Sequence, residues 1–432
     1  MSPGPTTRCS RRNAFWSALR DAFNAGPRMA TAAVLVTCGT WAAVVYHFVM
    51  AQYVGREYPW STFLYNPSDH FADYYNVYEQ ARAFHPGESA VVVYSPLLHA
   101  LMTVLTLIPP GVGLGLIVAS FLAAMFGMLW FVAGRGVRDP VSRLQQVLVL
   151  TLFAYPVLFA IDRGNLEMVV FVLLAAFFYL YCCRHSRWAW VPLALAISAK
   201  YYWATLLVLP LLDKRYREAL FAAIAAVFFG LASTVLVVAI SGYTLGGFFS
   251  AMRHSLAGYG EWRGSVFYVH HAHGLWGVVM LLNRAVNHLL TRQQYLDKWY
   301  LVLMAAVFVL VVVRLARGGF DAWEKAAVLV ICAILMPYEN ADYTLVQWML
   351  VFTLFAAADP PGWRGGVITI LFAVTMVPFA YYYFPIVGRP DVGISTLVYP
   401  AALVAIGILV LMRPPDAPKT MEEVDHGGSV AA

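Results

Sequence analysis

Two aspartates in a polar stretch between residues 66 and 84 are the side chains of this sequence best suited to chemistry. Asp69 and Asp73 stand four residues apart among aromatic residues, in a chain that is otherwise largely apolar. On a helix this spacing puts both carboxylates on one face. A carboxylate can take a proton from a reacting group, so the face is a candidate for general-base chemistry. The alternative is the solvated face of an interfacial helix that its aromatic residues anchor.

Two cations stand out within the apolar part of the chain. Arg163 lies in the segment Asp162-Arg163-Gly164-Asn165, which Glu167 closely follows. An Asp-Arg pair at a helix end is common and weak when exposed, and this is the alternative interpretation of the segment. Lys200 lies between two apolar stretches, where a lysine needs a partner or an anionic ligand. Lys200 is therefore the clearer candidate for a ligand-binding cation.

Polar side chains also gather in the second half of the chain. His270, His271 and His273 have a spacing found in some metal sites, but no carboxylate stands in register with them. We expect no metal there and favour a polar loop packed under aromatic residues. The other polar residues of interest in this half are Glu339, Asp342, Tyr343 and Arg389.

The composition assigns the chain to the membrane proteins. Of its 432 residues 61% are hydrophobic and only 12% are charged, and its mean hydropathy is +0.67. Apolar runs of about 20 residues recur along the chain, and each can cross a hydrocarbon core of about 30 Å. The five cysteines are scattered and indicate neither a disulfide framework nor a metal site. We predict an all-α polytopic membrane protein with no separate soluble domain, no cofactor and no nucleic-acid partner.

Arginines near the N-terminus predict the orientation of the chain. Five of them precede the first apolar run, at about residues 30–50. That run is too long for a signal peptide and lacks a cleavage pattern, so we predict an uncleaved first span. Because basic loops stay in the cytoplasm, the N-terminus is predicted to be cytoplasmic and the Asp73 loop external. The later Lys and Arg clusters then place both termini on the cytoplasmic side of a cell (inner or plasma) membrane.

This charge distribution is satisfied by about twelve transmembrane helices, in a range of roughly 10–13. Residues 94–108 are short for a crossing, and residues 274–291 carry polar interruptions, so both are predicted to be re-entrant or interfacial. Residues 188–212 are predicted to form a hairpin of two short helices with its hinge near Lys200. The predicted parts of the chain are a cytoplasmic basic N-terminus at 1–29, a single polytopic transmembrane domain at 30–412 and a disordered cytoplasmic tail at 413–432.

The predicted topology puts the unusual polar residues on one side of the membrane. Ionisable groups near the membrane are costly unless they pair with each other or line a wet cavity. Polar loops that converge on one side therefore predict an outward-facing site rather than a pore through the bilayer. The residues predicted to meet there are Asp69, Asp73, Asp162, Arg163, Asn165, Glu167, Lys200, His270, His271, His273, Glu339, Asp342, Tyr343 and Arg389.

The order of these features resembles the glycosyltransferase C superfamily, and within it glycosyltransferase family 87, the polyprenol-phosphate-mannose-dependent mannosyltransferases and their relatives. The likeness spans roughly residues 30–360. Two features depart from it: Ser95 stands where relatives often have a second proline, and residues 243–298 match no pattern of the family. The segments that carry the likeness are Phe71-Ala-Asp73-Tyr-Tyr-Asn76, Tyr94-Ser-Pro96-Leu97, Asp162-Arg-Gly-Asn165-Leu-Glu167, Leu193-Ala-Leu-Ala-Ile-Ser-Ala-Lys200-Tyr-Tyr202, Asp213-Lys-Arg-Tyr-Arg217 and Asp342-Tyr-Thr344.

The resemblance implies a cell-envelope hexosyltransferase with its active site in external loops. Such enzymes carry a catalytic aspartate in the first external loop, which corresponds here to Asp73, with Asp69 as the second candidate. Arg163 and Lys200 are the implied cations for the phosphate of a polyprenyl-phosphate-linked sugar donor. The acceptor is expected to be a glycan or glycolipid whose hydroxyl attacks the anomeric carbon of the donor, without a metal, in one inverting displacement. The implied acceptor- and sugar-binding residues are Tyr74, Asn76, Asn165, Glu339, Asp342 and Tyr343.

Two other functions fit parts of the sequence. A lipid-linked glycan polymerase should carry a large external loop rich in arginine, which residues 243–298 do not provide. A lipid or sugar transporter (flippase) should show an internal repeat with broken helices in both halves. The sequence offers a candidate break only near Lys200, so the transferase prediction leads.

Overall fold

The computed structural model describes residues 28–83, 94–136, 139–242, 244–263, 273–285, 293–338, 340–379 and 393–413. Every regular element within these ranges is a helix, which confirms the all-α prediction. Most of the predicted basic N-terminus and C-terminal tail lies outside them.

The helices differ widely in length. In chain order the first half contains α1 (Arg28–Gln52), α2 (Ala72–Arg82), α3 (Pro96–Leu105), α4 (Pro110–Gly136), α5 (Pro140–Leu152), α6 (Tyr155–Arg163), α7 (Glu167–Phe178), α8 (Trp190–Ala199), α9 (Val208–Leu212) and α10 (Tyr216–Ser241). The second half contains α11 (Leu245–Arg263), α12 (Leu275–Ala285), α13 (Gln293–Arg317), α14 (Ala322–Leu335), α15 (Trp348–Ala358), α16 (Gly362–Met376) and α17 (Ser395–Leu411). A π-helical turn (Tyr179–Cys183) extends α7, and 3₁₀ helices form at Pro67–Asp69, Arg187–Ala189, Tyr201–Leu207 and Asp342–Gln347.

Helix length and hydropathy support a polytopic membrane protein. Within the described residues, four helices are long and apolar enough to cross a membrane: Arg28–Gln52, Pro110–Ala133, Tyr216–Ser241 and Lys298–Arg317. The bent pair α5 and α6 can form a fifth span, and further apolar helices are 10–17 residues long. The number of about twelve crossings therefore stays a prediction. The ten residues of α3 reach only about 15 Å, as expected for a segment too short to cross.

The long helices surround a buried core. Only 17% of the apolar stretch of α10 is buried, and the same share of α13. In contrast, nearly every residue of α14 is buried, and so is most of α7 and α15. A helix that is apolar on all sides belongs in a protein core or a membrane. The core is therefore built on α7, α14 and α15, while α10 and α13 present apolar faces outward.

A bend between α5 and α6 directs the chain toward Asp73. The two helices meet at 48°, with Pro156 in the first turn of α6, where a missing N–H costs no helical hydrogen bond. The break frees the carbonyl of Phe153, which accepts a hydrogen bond of 3.1 Å from the hydroxyl of Thr40. Gly164 ends α6 in the left-handed conformation, with φ of 61°.

The chain turns back at Lys200, as predicted. Glu167 and Tyr181 stand fourteen residues apart, about 21 Å along a helix. Lys200 lies near Glu167, whereas Asp213 accepts a hydrogen bond of 2.6 Å from Tyr181. The segment before Lys200 starts beside the end of the α7 helix, where the N–H of Ser186 donates a hydrogen bond of 2.8 Å to the carbonyl of Leu180, so the two segments on either side of Lys200 run in opposite directions. The predicted turn at Lys200 is therefore present, although its second arm is a 3₁₀ helix followed by the five residues of α9, and crossing of the membrane by either arm stays a prediction.

Several charged residues lie together far from Lys200. The ammonium of Lys325 lies 2.5 Å from the carboxylate of Asp213, and Arg413 contacts both Asp321 and Glu324. These contacts confirm that several basic residues predicted to share one side of the membrane lie together, while the side itself stays a prediction. We call this group the opposite end; its residues are Asp213, Asp321, Glu324, Lys325, Arg364 and Arg413.

Candidate active site

Asp162 holds the loop that leads into α2. Its carboxylate accepts a hydrogen bond of 2.9 Å from the backbone N–H of Tyr65 and lies 2.8 Å from Nδ1 of His70. Its backbone carbonyl accepts a hydrogen bond of 2.8 Å from the N–H of Phe71. One buried aspartate thus fixes three points of the loop that precedes Asp73.

The contact of this loop with the end of α6 requires a glycine at residue 164. Phe71 adopts a left-handed conformation with φ of 56°, which is uncommon for a bulky residue and is found at constrained sites. Gly164 packs directly against it, because a Cβ atom on Gly164 would lie 3.2 Å from the Cα of Phe71 and 2.9 Å from the Cβ of Tyr74. The close approach and the positive φ both exclude a side chain at residue 164.

Arg163 joins the two candidate aspartates. Its guanidinium donates a short hydrogen bond to Oδ1 of Asp73 and another of 3.3 Å to Oδ2 of Asp69. Its other side lies over the ring of Tyr65, 3.9 Å from the ring centroid. A guanidinium suits this position because its planar fork can bind two acceptors at once. Arg163 therefore fixes the carboxylate of Asp73, whose side chain is still 17% exposed.

Asn165 holds the other oxygen of Asp73. Its Nδ2 donates hydrogen bonds of 2.6 Å to Oδ2 of Asp73 and 3.3 Å to the hydroxyl of Tyr94. Its Oδ1 accepts a hydrogen bond of 2.9 Å from the N–H of Glu167. An amide has two N–H donors, so both are occupied, and the residue is 1% exposed. In this arrangement Asn165 holds the carboxylate of Asp73 in place.

Lys200 lies on the other side of Tyr94. Its Nζ is 4.8 Å from the centroid of the Tyr94 ring and 3.7 Å from Oε1 of Glu167. Within the part of the chain that the structure describes, this ammonium donates no hydrogen bond, although its side chain is only 19% exposed. An ammonium carries three donors. Lys200 therefore has capacity for an anion.

Asp73 and Lys200 thus belong to one polar network. Asn165 connects Asp73 to Tyr94, and the ring of Tyr94 faces Lys200. The result is a carboxylate and a cation linked through the buried side chains of Asn165 and Tyr94. We call this group the Asp73 network; its residues are Tyr65, Asp69, Asp73, Tyr94, Arg163, Asn165, Glu167 and Lys200.

Three of the predicted sugar-binding residues lie in other surroundings. Asn76 is exposed one turn beyond Asp73 on α2. Tyr74 is fully buried, and burial raises its pKa to about 12, so its hydroxyl stays protonated at neutral pH and is no rival base. Tyr343 is half-buried and lies near Tyr202.

Asp342 lies in a separate buried cluster. Its carboxylate accepts a short hydrogen bond from the hydroxyl of Tyr155 and contacts Nε2 of His273. Asp342 and His273 are both fully buried, so the described contacts do not bring Asp342 into the Asp73 network. Outside the described residues lie Glu339, His270, His271 and Arg389.

No group of three or more His, Cys, Asp or Glu side chains among the described residues is arranged to hold a metal ion. Acidic side chains lie next to the basic side chains of Arg163, Lys200 and His273.

Sequence reasoning included Glu167 among the residues of the site but missed Gln347 and the position of Tyr94. Tyr94 and Glu167 stand in motifs that the sequence brought out, yet no spacing rule predicts that Tyr94 lies between Asn165 and Lys200. Gln347 donates hydrogen bonds of 3.0 Å to Oε2 and 2.9 Å to the backbone carbonyl of Glu167. Because Gln347 is 180 residues away in sequence, local pattern carries no signal for this contact.

Comparison with known proteins identifies the family. The sequence model of glycosyltransferase family 87 matches residues 93–337, which is more than half of the chain and includes Tyr94, Arg163, Asn165 and Lys200. Asp73 precedes the matched region. The chain matches no curated protein and no solved structure. The extent of the family match, together with the membrane helices and the polar network they position, shows that this chain belongs to glycosyltransferase family 87.

Proposed function

We propose that this protein transfers a single sugar from a polyprenyl-phosphate donor to a hydroxyl of a glycan or glycolipid acceptor, with inversion at the anomeric carbon. Family membership establishes a membrane glycosyltransferase. The donor class, the residues and their roles are the proposal. The observation that carries it is the connection of Asp73 to Lys200 through Asn165 and Tyr94.

Asp73 is the proposed general base. Each of its oxygens accepts one described hydrogen bond, from Arg163 and from Asn165. An ionised carboxylate has about four lone-pair positions, so acceptors are left for a substrate hydroxyl. Asp69 is the second candidate, and its side chain is 49% exposed with one contact of 3.3 Å to Arg163. Asp73 is preferred because two neighbours fix its orientation.

Lys200 is the proposed main cation for the donor phosphate. A hydrogen bond from an ammonium to phosphate is charge-assisted and strong, and the described residues leave the donors of Lys200 open. Arg163 adds positive charge next to Asp73 and has five N–H donors, of which two are used by the aspartates. Arg163 can therefore hold Asp73 and still contribute to phosphate binding.

The proposed step is one displacement. Asp73 takes the proton of the acceptor hydroxyl while the acceptor oxygen bonds to the anomeric carbon. The bond between that carbon and the phosphate oxygen breaks, and its electron pair leaves with the polyprenyl phosphate. The leaving phosphate gains one negative charge, which Lys200 stabilises. Because attack and departure occur on opposite faces of the carbon, the configuration inverts.

Binding of the sugar and acceptor is proposed for residues near the base. Asn76 is exposed close to Asp73 on α2 and is the first candidate. Tyr343 is half-buried near Tyr202, and the remaining candidates from the sequence are Tyr74, Asn165, Glu339 and Asp342. The donor lipid would enter from the surrounding bilayer, with the site at the outer face and both termini in the cytoplasm, as the arginine distribution indicates.

The direct experiment is transfer by the purified protein. Synthetic polyprenyl-phosphate mannose, with the glucose analogue in parallel, is supplied with acceptor-containing lipid extract, and the anomeric configuration of the product is determined by NMR. The proposal predicts addition of one sugar with inversion. Retained configuration would contradict the single displacement, and repeated addition would indicate a polymerase. Movement of the donor lipid across a vesicle membrane without transfer of its sugar would indicate a flippase.

A further inference from the structure

Glu167 is a buried carboxylate with two neutral hydrogen-bond donors. The hydroxyl of Tyr202 donates a short hydrogen bond to Oε1, and Gln347 donates one of 3.0 Å to Oε2. Glu167 is fully buried, where an ionised carboxylate without partners would be very costly. It also stands in the first turn of α7, where the helix dipole favours negative charge. Both oxygens are therefore satisfied without Lys200.

Lys200 stands away from this carboxylate. Its Nζ lies 3.7 Å from Oε1 of Glu167, a distance that gives electrostatic attraction but no hydrogen bond. The oxygen that faces Lys200 is the one that already accepts the hydroxyl of Tyr202. The arrangement keeps a counter-charge near the lysine while leaving its donors unused.

A matched group at the opposite end shows the alternative arrangement. Tyr181 donates a hydrogen bond of 2.6 Å to Oδ2 of Asp213, and Lys325 lies 2.5 Å from Oδ1. Each group has a tyrosine, a lysine and a carboxylate, with Asp213 in place of glutamate here, but the lysine closes directly onto the carboxylate. The difference is Gln347, which occupies the second oxygen of Glu167 and has no counterpart among the described contacts of Asp213.

We infer that Tyr202 and Gln347 are positioning residues that keep Lys200 available to the donor phosphate by satisfying Glu167 in its place. The inference rests on the proposed function, since it requires Lys200 to bind that phosphate. When the donor arrives, Lys200 turns from Glu167 to the phosphate, and Glu167 keeps its two hydrogen bonds. Without Tyr202 or Gln347, Glu167 would draw Lys200 into a closed ion pair, and the phosphate would have to compete for it.

The test measures binding of farnesyl phosphate, used as a short soluble probe of the donor phosphate, to the purified protein. Tyr202→Phe keeps the ring and removes the hydroxyl. Affinity should fall about three- to tenfold, the size of a typical net hydrogen-bond contribution, and the donor KM should rise with little change in kcat. Tyr181→Phe is the matched control; it removes the equivalent hydroxyl at the opposite end and should lower only Tm.

A second substitution shows whether Tyr202→Phe weakens binding because Glu167 competes with the phosphate for Lys200 or because packing is lost. Glu167→Gln combined with Tyr202→Phe should restore the affinity, because an amide does not hold an ammonium as a carboxylate does. If Tyr202→Phe does not fold, Gln347→Met tests the same point by removing the donor to Oε2, and it should weaken binding in the same direction.

Two results would overturn the inference. One is wild-type affinity in folded Tyr202→Phe and Gln347→Met proteins. The other is weakened binding that Glu167→Gln fails to restore. The role of Lys200 is checked separately: if Lys200→Ala binds farnesyl phosphate as tightly as wild type, the proposed phosphate site itself is wrong. If Lys200→Ala weakens binding while the Tyr202 and Gln347 variants do not, only this inference fails.

Discussion

The Asp73 network and the opposite end are built from the same kinds of side chains but use them differently. In each group one arginine contacts two carboxylates: Arg163 holds Asp69 and Asp73, and Arg413 holds Asp321 and Glu324. The carboxylates held by Arg413 already have a structural role, because they form the capping box that starts α14. Asp73 caps no helix, and its described hydrogen bonds all reach residues distant in sequence.

The contrast also holds for a cleft at the opposite end. A cleft of about 170 Å³ at the opposite end is lined by Asp321, Glu324, Arg364 and Arg413. Its charges are paired with one another, and Arg364 also donates a hydrogen bond of 3.0 Å to the carbonyl of Val410 near the end of α17. Local structure thus accounts for these charges. It does not account for the orientation of Asp73 or the open donors of Lys200, and the difference teaches that a cleft lined by charged residues is not by itself a sign of a ligand site.

The largest expected effect is loss of the base. Asp73→Asn keeps the size and polarity of the side chain but cannot take a proton, so kcat should fall roughly 10²–10⁴-fold. Donor affinity and folding should be unchanged. Single-turnover transfer measures the effect, and Asp213→Asn at the opposite end, which should lower Tm and leave kcat intact, is the control. Full activity of Asp73→Asn would show that Asp73 is not the base, and the Asp73 network would then differ from the opposite end in no catalytic respect.

A smaller effect is expected from Arg163→Lys. Lysine keeps the charge but is a point donor that cannot hold Asp69 and Asp73 together. The base would be less well oriented, and kcat should fall about tenfold, the effect of one charge-assisted hydrogen bond. Steady-state kinetics should show donor KM nearly unchanged. Arg413→Lys disrupts the equivalent pair at the opposite end, and equal losses of kcat in both variants would show that the two arginines act only on stability.

The smallest effect is expected from Asp69→Asn. Its carboxylate is half exposed and makes one contact of 3.3 Å with Arg163, and exposed ion pairs contribute about 0–1 kcal/mol. We expect a loss of kcat of about two- to threefold at most, measured in the same assay as Asp73→Asn. A larger loss in Asp69→Asn than in Asp73→Asn would move the base to Asp69.

Sequence patterns predicted the broad fold because membrane helices leave a strong local signal. The turn near Lys200 was predictable, since the basic residues before and after residues 188–212 were predicted to share one side of the membrane, which required the segment between them to turn back. The exact number of crossings was not, because several apolar helices are 10–17 residues long and one pair is bent. Length and hydropathy alone do not decide whether such helices cross.

Only part of the site was predictable, because contacts between residues that are distant in sequence leave no local pattern. Asp73, Asp69, Arg163 and Asn165 were identified from their types and spacing, and they do lie together. Their mutual contacts were not predictable, because they join residues about 90 positions apart. Asp342 shows the limit most clearly: its role in substrate binding stays a prediction, and nothing in the local sequence predicted its contacts with His273 and Tyr155. Whether a carboxylate faces a ligand or an internal partner depends on packing that no short motif encodes.

The central claim is that Lys200 holds the donor phosphate beside Asp73, and the affinity for farnesyl phosphate tests it most directly. Lys200→Ala removes a charge-assisted contact and should weaken binding about ten- to a hundredfold. Lys325→Ala removes the lysine of the matched group at the opposite end and should bind the probe like wild type. Wild-type affinity in a folded Lys200→Ala protein, or equal weakening in the two variants, would contradict the account.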